Sequence, residues 1–178
     1  MKLNAFSPTG EKLRILRRII IFGLVGFFLC ILQCSFFSKL KPFGVTPDIV
    51  LGSILALSML DSKKSAAVYA VSTGYFLDAI GATPPSLSPI FYLLAVALLG
   101  FISDKMMPRF LSFGTLMLPA VCLRAIFTFI SLWISLGVFP PTAYITSVIL
   151  PEMLSTFIFC LPVYFFIKLC MLPIGSKG

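Results

Sequence analysis

FGVTPDIVLGSILALSMLDSKKSAAVYAVSTGYFLDAIG, residues 43–81, reads as two short apolar helices hinged at 61–64, with a carboxylate near the far end of each. Asp48 stands at the start of the first helix and Asp78 close to the end of the second. With the hinge on one side of a membrane, both acids fall near the opposite face. A carboxylate in or beside hydrocarbon is costly unless something receives it, so these acids are the least generic feature of the hairpin.

The rest of the chain supplies the reason to invoke a membrane. Of 178 residues, 59% are hydrophobic and 11% charged, with 19 Phe and one Trp, whereas a soluble domain has about 25% charged residues. No water-soluble fold of this length hides so much apolar side chain. The 14 basic residues outnumber the 6 acidic ones, but they lie in short clusters between apolar runs, where they orient a membrane protein; nucleic acid is not expected as a partner. The five Cys, at 30, 34, 122, 160 and 170, lack the paired spacing of a zinc site or a disulfide framework and read as small apolar packing residues. With no His and no Glu-rich helix, neither a metal nor another cofactor is expected.

Six spans follow from the hydropathy, at 15–37, 46–60, 66–81, 90–103, 110–138 and 143–172, so the chain divides into a basic N-terminus (1–14), one transmembrane domain (15–172) and a short tail (173–178). Pro8, Thr9 and Gly10 read as breakers ahead of the first span. That span runs too long, with no small-residue cleavage site, to be a signal peptide. Gly23, Gly26, Cys30 and Gln33 share one of its faces, as helix packing in lipid prefers; Gln33 is an interhelical hydrogen-bond partner or a ligand group. Thr46-Pro47-Asp48 is a good helix opening, with Thr as N-cap, Pro in the first turn and an acid at the positive end of the dipole. On the third span Ala67, Ala70, Gly74 and Asp78 share a face. Each Asp is either a local cap or a contact for a partner near the outer surface.

Arg124 heads a polar stripe with Thr128, Ser131 and Ser135 on the fifth span, and Glu152 descends the sixth. Counted from the loop between them the two lie at similar depth, and neither is tolerable alone, so an intramembrane ion pair is expected. It serves either to fix the register of two helices or as a gated or proton-linked site. Eleven of the fourteen basic residues fall on one side, with Lys39 and Lys41 on the other; the positive-inside bias then places both termini in the cytoplasm.

Reaction chemistry is missing from the pattern: no phosphate-cradling Gly loop, no Gly-x-Ser-x-Gly elbow and no His base. The order of Gln33-Cys-Ser-Phe-Phe, Thr46-Pro47-Asp48-Ile-Val-Leu-Gly, the Asp61 turn, Gly74-Tyr-Phe-Leu-Asp78 and Ser88-Pro89-Ile-Phe-Tyr92 resembles the bacterial rod shape-determining protein MreD family. The resemblance covers residues 12–105 in motif, and spans five and six in hydropathy alone. It implies a non-enzymatic subunit of the cytoplasmic membrane that scaffolds an MreC-like bitopic partner in sidewall peptidoglycan synthesis. An MreB-like filament, an elongation polymerase and a penicillin-binding transpeptidase form the wider complex. It also implies a six-helix fold like the substrate-binding subunits of vitamin uptake transporters. The rival reading is therefore a small-solute or vitamin binding subunit, with Gln33, Arg124, Thr128 and Glu152 lining a pocket.

Overall fold

The computed structural model describes residues 8–80, 87–103, 107, 109–137 and 144–171. The expected turns at 83–86 and 140–141, most of the 104–109 loop and the 173–178 tail lie outside the described residues. All six principal elements are helices: α1 Pro8–Ile31, α2 Ile49–Leu60, α3 Lys63–Ala79, α4 Ser88–Ser103, α5 Phe110–Leu136 and α6 Leu150–Met171. A π-helical turn, Leu32–Phe37, carries α1 on into the short helical turn Ser38–Leu40, and a second, Ile145–Ile149, leads into α6.

Three stretches are long and apolar enough to cross a membrane: Leu16–Leu40, Phe110–Ile134 and Ile145–Met171. Their outer faces present bare hydrocarbon, as at Leu24, Leu111 and Ile134, which are 65%, 80% and 76% exposed. Such a surface belongs against lipid. The other three helices are shorter. With 12, 17 and 16 residues, α2, α3 and α4 reach only about 18, 26 and 24 Å at 1.5 Å per residue, against a ~30 Å hydrocarbon core.

The shortest of them is the centre. Every residue of α2 from Ile49 to Ser58 is buried, and α2 packs against each of the other five helices. This explains a helix that is apolar all round: with neighbours on every side it has no face to spare for water. The hairpin is joined as expected at Ser62, whose hydroxyl caps α3 by accepting from the Ser65 N–H at 3.2 Å. Beside it, Arg18 Nη1 lies 3.1 Å from Asp61 Oδ1, tying α1 to the hinge. The tie reaches between two charges that the positive flank and the turn made visible only separately.

Two helix openings differ from expectation. Pro8 begins α1 instead of breaking it, because a first-turn proline lacks an N–H that would have no partner there anyway. Asp48, not Thr46, is the N-cap of α2: its Oδ1 accepts from the Leu51 N–H at 3.1 Å, and Pro47 precedes the helix.

Small residues set the helix spacing. A Cβ added to Gly26 would stand 2.8 Å from Thr73 and Tyr69, and one on Gly52 would stand 2.6 Å from the Cys160 side chain. Ala70 is fully buried and Ala67 partly so on the same face of α3 as Gly74. Gly23 departs from the packing face proposed for it. It is exposed, with open space where a side chain would begin, because the face of α1 turned to the bundle carries Phe22, Val25, Gly26, Leu29 and Cys30 instead. At Gly74 a Cβ would stand 2.6 Å from the Pro89 Cα, a backbone atom that cannot step aside. Gly74→Val is therefore expected to prise α3 from α4 and to cost about 1–3 kcal/mol, the usual penalty of overpacking. A melting temperature in detergent unchanged from wild type would contradict this.

Candidate functional site

The chain enters α2 from an extended segment, with Val45 at φ −132° and ψ 160°, and Pro47 and Asp48 are already buried. A helix that begins inside a bundle brings orphan N–H groups with it, and these must find partners away from water. Two other helices and α2's own cap supply them, and a third helix bonds the cap itself. Gln33 Oε1, on the π turn of α1, accepts from the Val50 N–H at 3.1 Å. Asp48 Oδ1 accepts from Leu51, while the Asp48 N–H donates to Thr156 Oγ1 of α6 at 3.0 Å. Tyr92 of α4 donates its hydroxyl to the Asp48 carboxylate, 2.8 Å from Oδ1 and 2.9 Å from Oδ2. The Cys160 thiol donates to the Asp48 carbonyl at 3.3 Å.

Asp48 was expected to be a capping acid or a partner contact near the outer surface, and the cap is what the structure shows. It is also the acid at the centre, 1% exposed. The enclosure has a physical cause: α2 is surrounded by the other five helices, so its cap falls among their side chains. The expected pairing of Arg124 with Glu152 is thus part of a larger group. Arg124 Nε lies 3.4 Å from Asp48 Oδ2 and 3.7 Å from Glu152 Oε1, so one guanidinium from α5 separates two carboxylates from α2 and α6. Its carbon stands 5.1 Å from the centroid of the Phe91 ring, a cation–π contact that closes its remaining side.

A cavity opens against this group. Its inner lobe, about 290 Å³, is walled by Gln33, Cys34, Asp48, Tyr92, Arg124 and Glu152. Its outer lobe, about 560 Å³, adds Lys41, Thr128, Ser131 and Tyr144. Ser38, Thr46, Ser88, Arg124 and Glu152 line both. Gln33, Arg124, Thr128 and Glu152, nominated from sequence as one pocket, are divided between two adjoining lobes: Gln33 lines the inner one, Thr128 the outer one, and Arg124 and Glu152 both. Asp78 does not line either lobe. It is partly buried near the end of α3, and with Asp48 withdrawn to the core the two acids do not form a matched outward pair.

Tyr92, Thr156 and Cys160 were not singled out as site residues. Thr156 could have been, since it follows Glu152 by four residues and so shares its helix face; Tyr92 carried no comparable signal in an apolar run. Among the described residues no group of three or more His, Cys, Asp and Glu side chains converges to hold a metal ion. No protein-family model, curated protein or solved structure matches the chain.

Proposed function

We propose that this chain is a non-enzymatic, multi-pass subunit of a bacterial cytoplasmic membrane, of the MreD type, that scaffolds an MreC-like partner within the machinery of sidewall peptidoglycan synthesis. In this reading all six helices lie in the membrane with both termini in the cytoplasm, and an MreB-like filament, an elongation polymerase and a penicillin-binding transpeptidase complete the assembly. The observation that supports it is convergence. The segments that carry the resemblance pack on one another: Gln33 bonds the start of α2, Asp48 bonds Tyr92, and Gly74 abuts Pro89. A bundle tied at its centre by hydrogen bonds and ion pairs between several helices is rigid, which suits a platform for another protein's membrane helix.

Co-purification tests the reading. A tagged full-length chain is expected to bring down the MreC-like protein of the same cell in detergent, and its loss to round rod-shaped cells. Normal rods in the deletion, together with no enrichment of that partner, would overturn it. Reporter fusions at the two ends test the topology, since activity from an exported reporter at either terminus contradicts a cytoplasmic placement.

The cavity favours a second reading. Its outer lobe alone, at about 560 Å³, falls within the roughly 300–1,000 Å³ of small-molecule sites, so a solute-binding subunit has a place for its ligand. Thr128→Leu removes a lining hydroxyl and intrudes on that lobe while leaving Asp48, Arg124 and Glu152 in place. It abolishes solute uptake on the second reading and leaves partner co-purification intact on the first.

A further inference from the structure

The charges around the cavity are arranged unevenly, and this points to the chemistry of an occupant. At the inner lobe two carboxylates face a single guanidinium. Asp48 is saturated there, receiving Tyr92, Leu51 and Arg124. Glu152 is the acid with room to spare: its side chain is 17% exposed and lines both lobes. Excess negative charge in a partly enclosed site attracts a cation more strongly than it would in bulk solvent. The outer lobe has the opposite character. Lys41, exposed at its rim, is the cation that this lobe adds, and Ser38, Thr46, Thr128 and Ser131 contribute hydroxyls. Summed over both lobes, Asp48 and Glu152 balance Arg124 and Lys41, so the cavity is neutral as a whole and polarised along its length.

The walls are also locally irregular. The π turn Leu32–Phe37 contributes Gln33 and Cys34, and the π turn Ile145–Ile149 contributes Val148. Such turns forgo regular hydrogen bonding and recur where helices are shaped around a ligand. Two of them border this one space.

We propose that the cavity binds a zwitterion, with its ammonium group in the inner lobe against Glu152 and its phosphate or carboxylate in the outer lobe toward Lys41. The ammonium donates to the Glu152 carboxylate and to the Gln33 side-chain oxygen's second lone pair; the anionic end accepts from Lys41 and the hydroxyls. A free amino-acid-like solute and the headgroup of an ethanolamine phospholipid share this chemistry. The site stands apart from partner scaffolding, since binding is read on the purified chain alone.

Calorimetry on the purified full-length protein, with phosphoethanolamine and phosphocholine as probes, is the first arm. The second compares melting temperature in nanodiscs of phosphatidylethanolamine and of phosphatidylcholine. Phosphoethanolamine is expected to bind saturably and phosphocholine about tenfold more weakly, because a quaternary ammonium has no N–H to give a carboxylate. Glu152→Gln is expected to weaken the ethanolamine probe by about tenfold, the loss of one charge-assisted hydrogen bond. Binding of the free probe identifies a solute; stabilisation by the ethanolamine lipid without binding of the free probe identifies a headgroup, and either supports the proposal. Neither effect in the wild type, equal binding of the two probes, or full binding by a helical Glu152→Gln protein overturns it. If Glu152→Gln does not fold, Lys41→Gln at the exposed rim decides: weakened binding supports the site and unchanged binding overturns it.

Discussion

Replacing Arg124 by methionine is expected to lower stability by about 3–5 kcal/mol, the usual result of removing one partner from a buried ion pair. The magnitude follows from what is left behind. Asp48, 2% exposed at its side chain, and Glu152 would face each other across the vacated space with no counter-charge, and the hydrocarbon-length stem of methionine replaces packing but not charge. Neutralising an acid in the same chain is expected to recover part of the loss. Arg124→Met with Glu152→Gln should therefore be more stable than Arg124→Met alone, a non-additivity that neighbouring charges produce and distant sites do not. Denaturation of the purified protein in mixed micelles measures both, with Glu152→Gln alone completing the cycle. Equal stability of Arg124→Met and wild type would show that the guanidinium does not hold the group together.

Asp48→Ala has the second large effect, and its chemistry is different. Alanine removes the cap of α2, worth about 1 kcal/mol, and leaves the Tyr92 hydroxyl buried with its acceptor gone, which adds about 1–3 kcal/mol. Arg124 keeps Glu152, so the ion pair is reduced but not abolished. Asp48→Asn separates these contributions. Its side-chain oxygen can still accept from Leu51 and from Tyr92, so it should lose little beyond the charge interaction with Arg124. An asparagine variant as damaged as the alanine variant would mean that the charge, not the hydrogen bonding, is what α2 needs from this position.

Much of this arrangement was legible in the residues. Hydropathy marked the helices, the polar Ser62 hinge marked the hairpin, and equal distances from one loop brought Arg124 and Glu152 to the same depth. The depth of Asp48 was not legible. Hydropathy does not say whether the start of an apolar run is enclosed by its neighbours, and the first residues of α2 lie among side chains that only the fold assembles. Gln33 illustrates a second limit. Helical spacing put it on a packing face, which is where it lies, yet its bond to the Val50 N–H depends on a π turn that no periodicity discloses. Gly23 shows a third, since spacing aligns residues on a face without saying which side of that face meets the bundle. Tyr92 lay unremarked at the end of one quoted stretch, and only geometry revealed the carboxylate that it serves.

The enclosure of α2 also bears on how the molecule is made. Asp48 precedes every one of its charged and hydroxyl-bearing partners, with Tyr92, Arg124 and Thr156 all encoded later in the chain. While the ribosome is still adding α3, the second helix is too short to span and its cap has no counter-ion, so it cannot settle at its final depth. Insertion must hold it at the lipid headgroups, or in the shelter of the translocation machinery, until α5 and α6 emerge to enclose it. A chain terminated before residue 124 would thus expose its most central helix to quality-control proteases, although more than half of the protein had been synthesised.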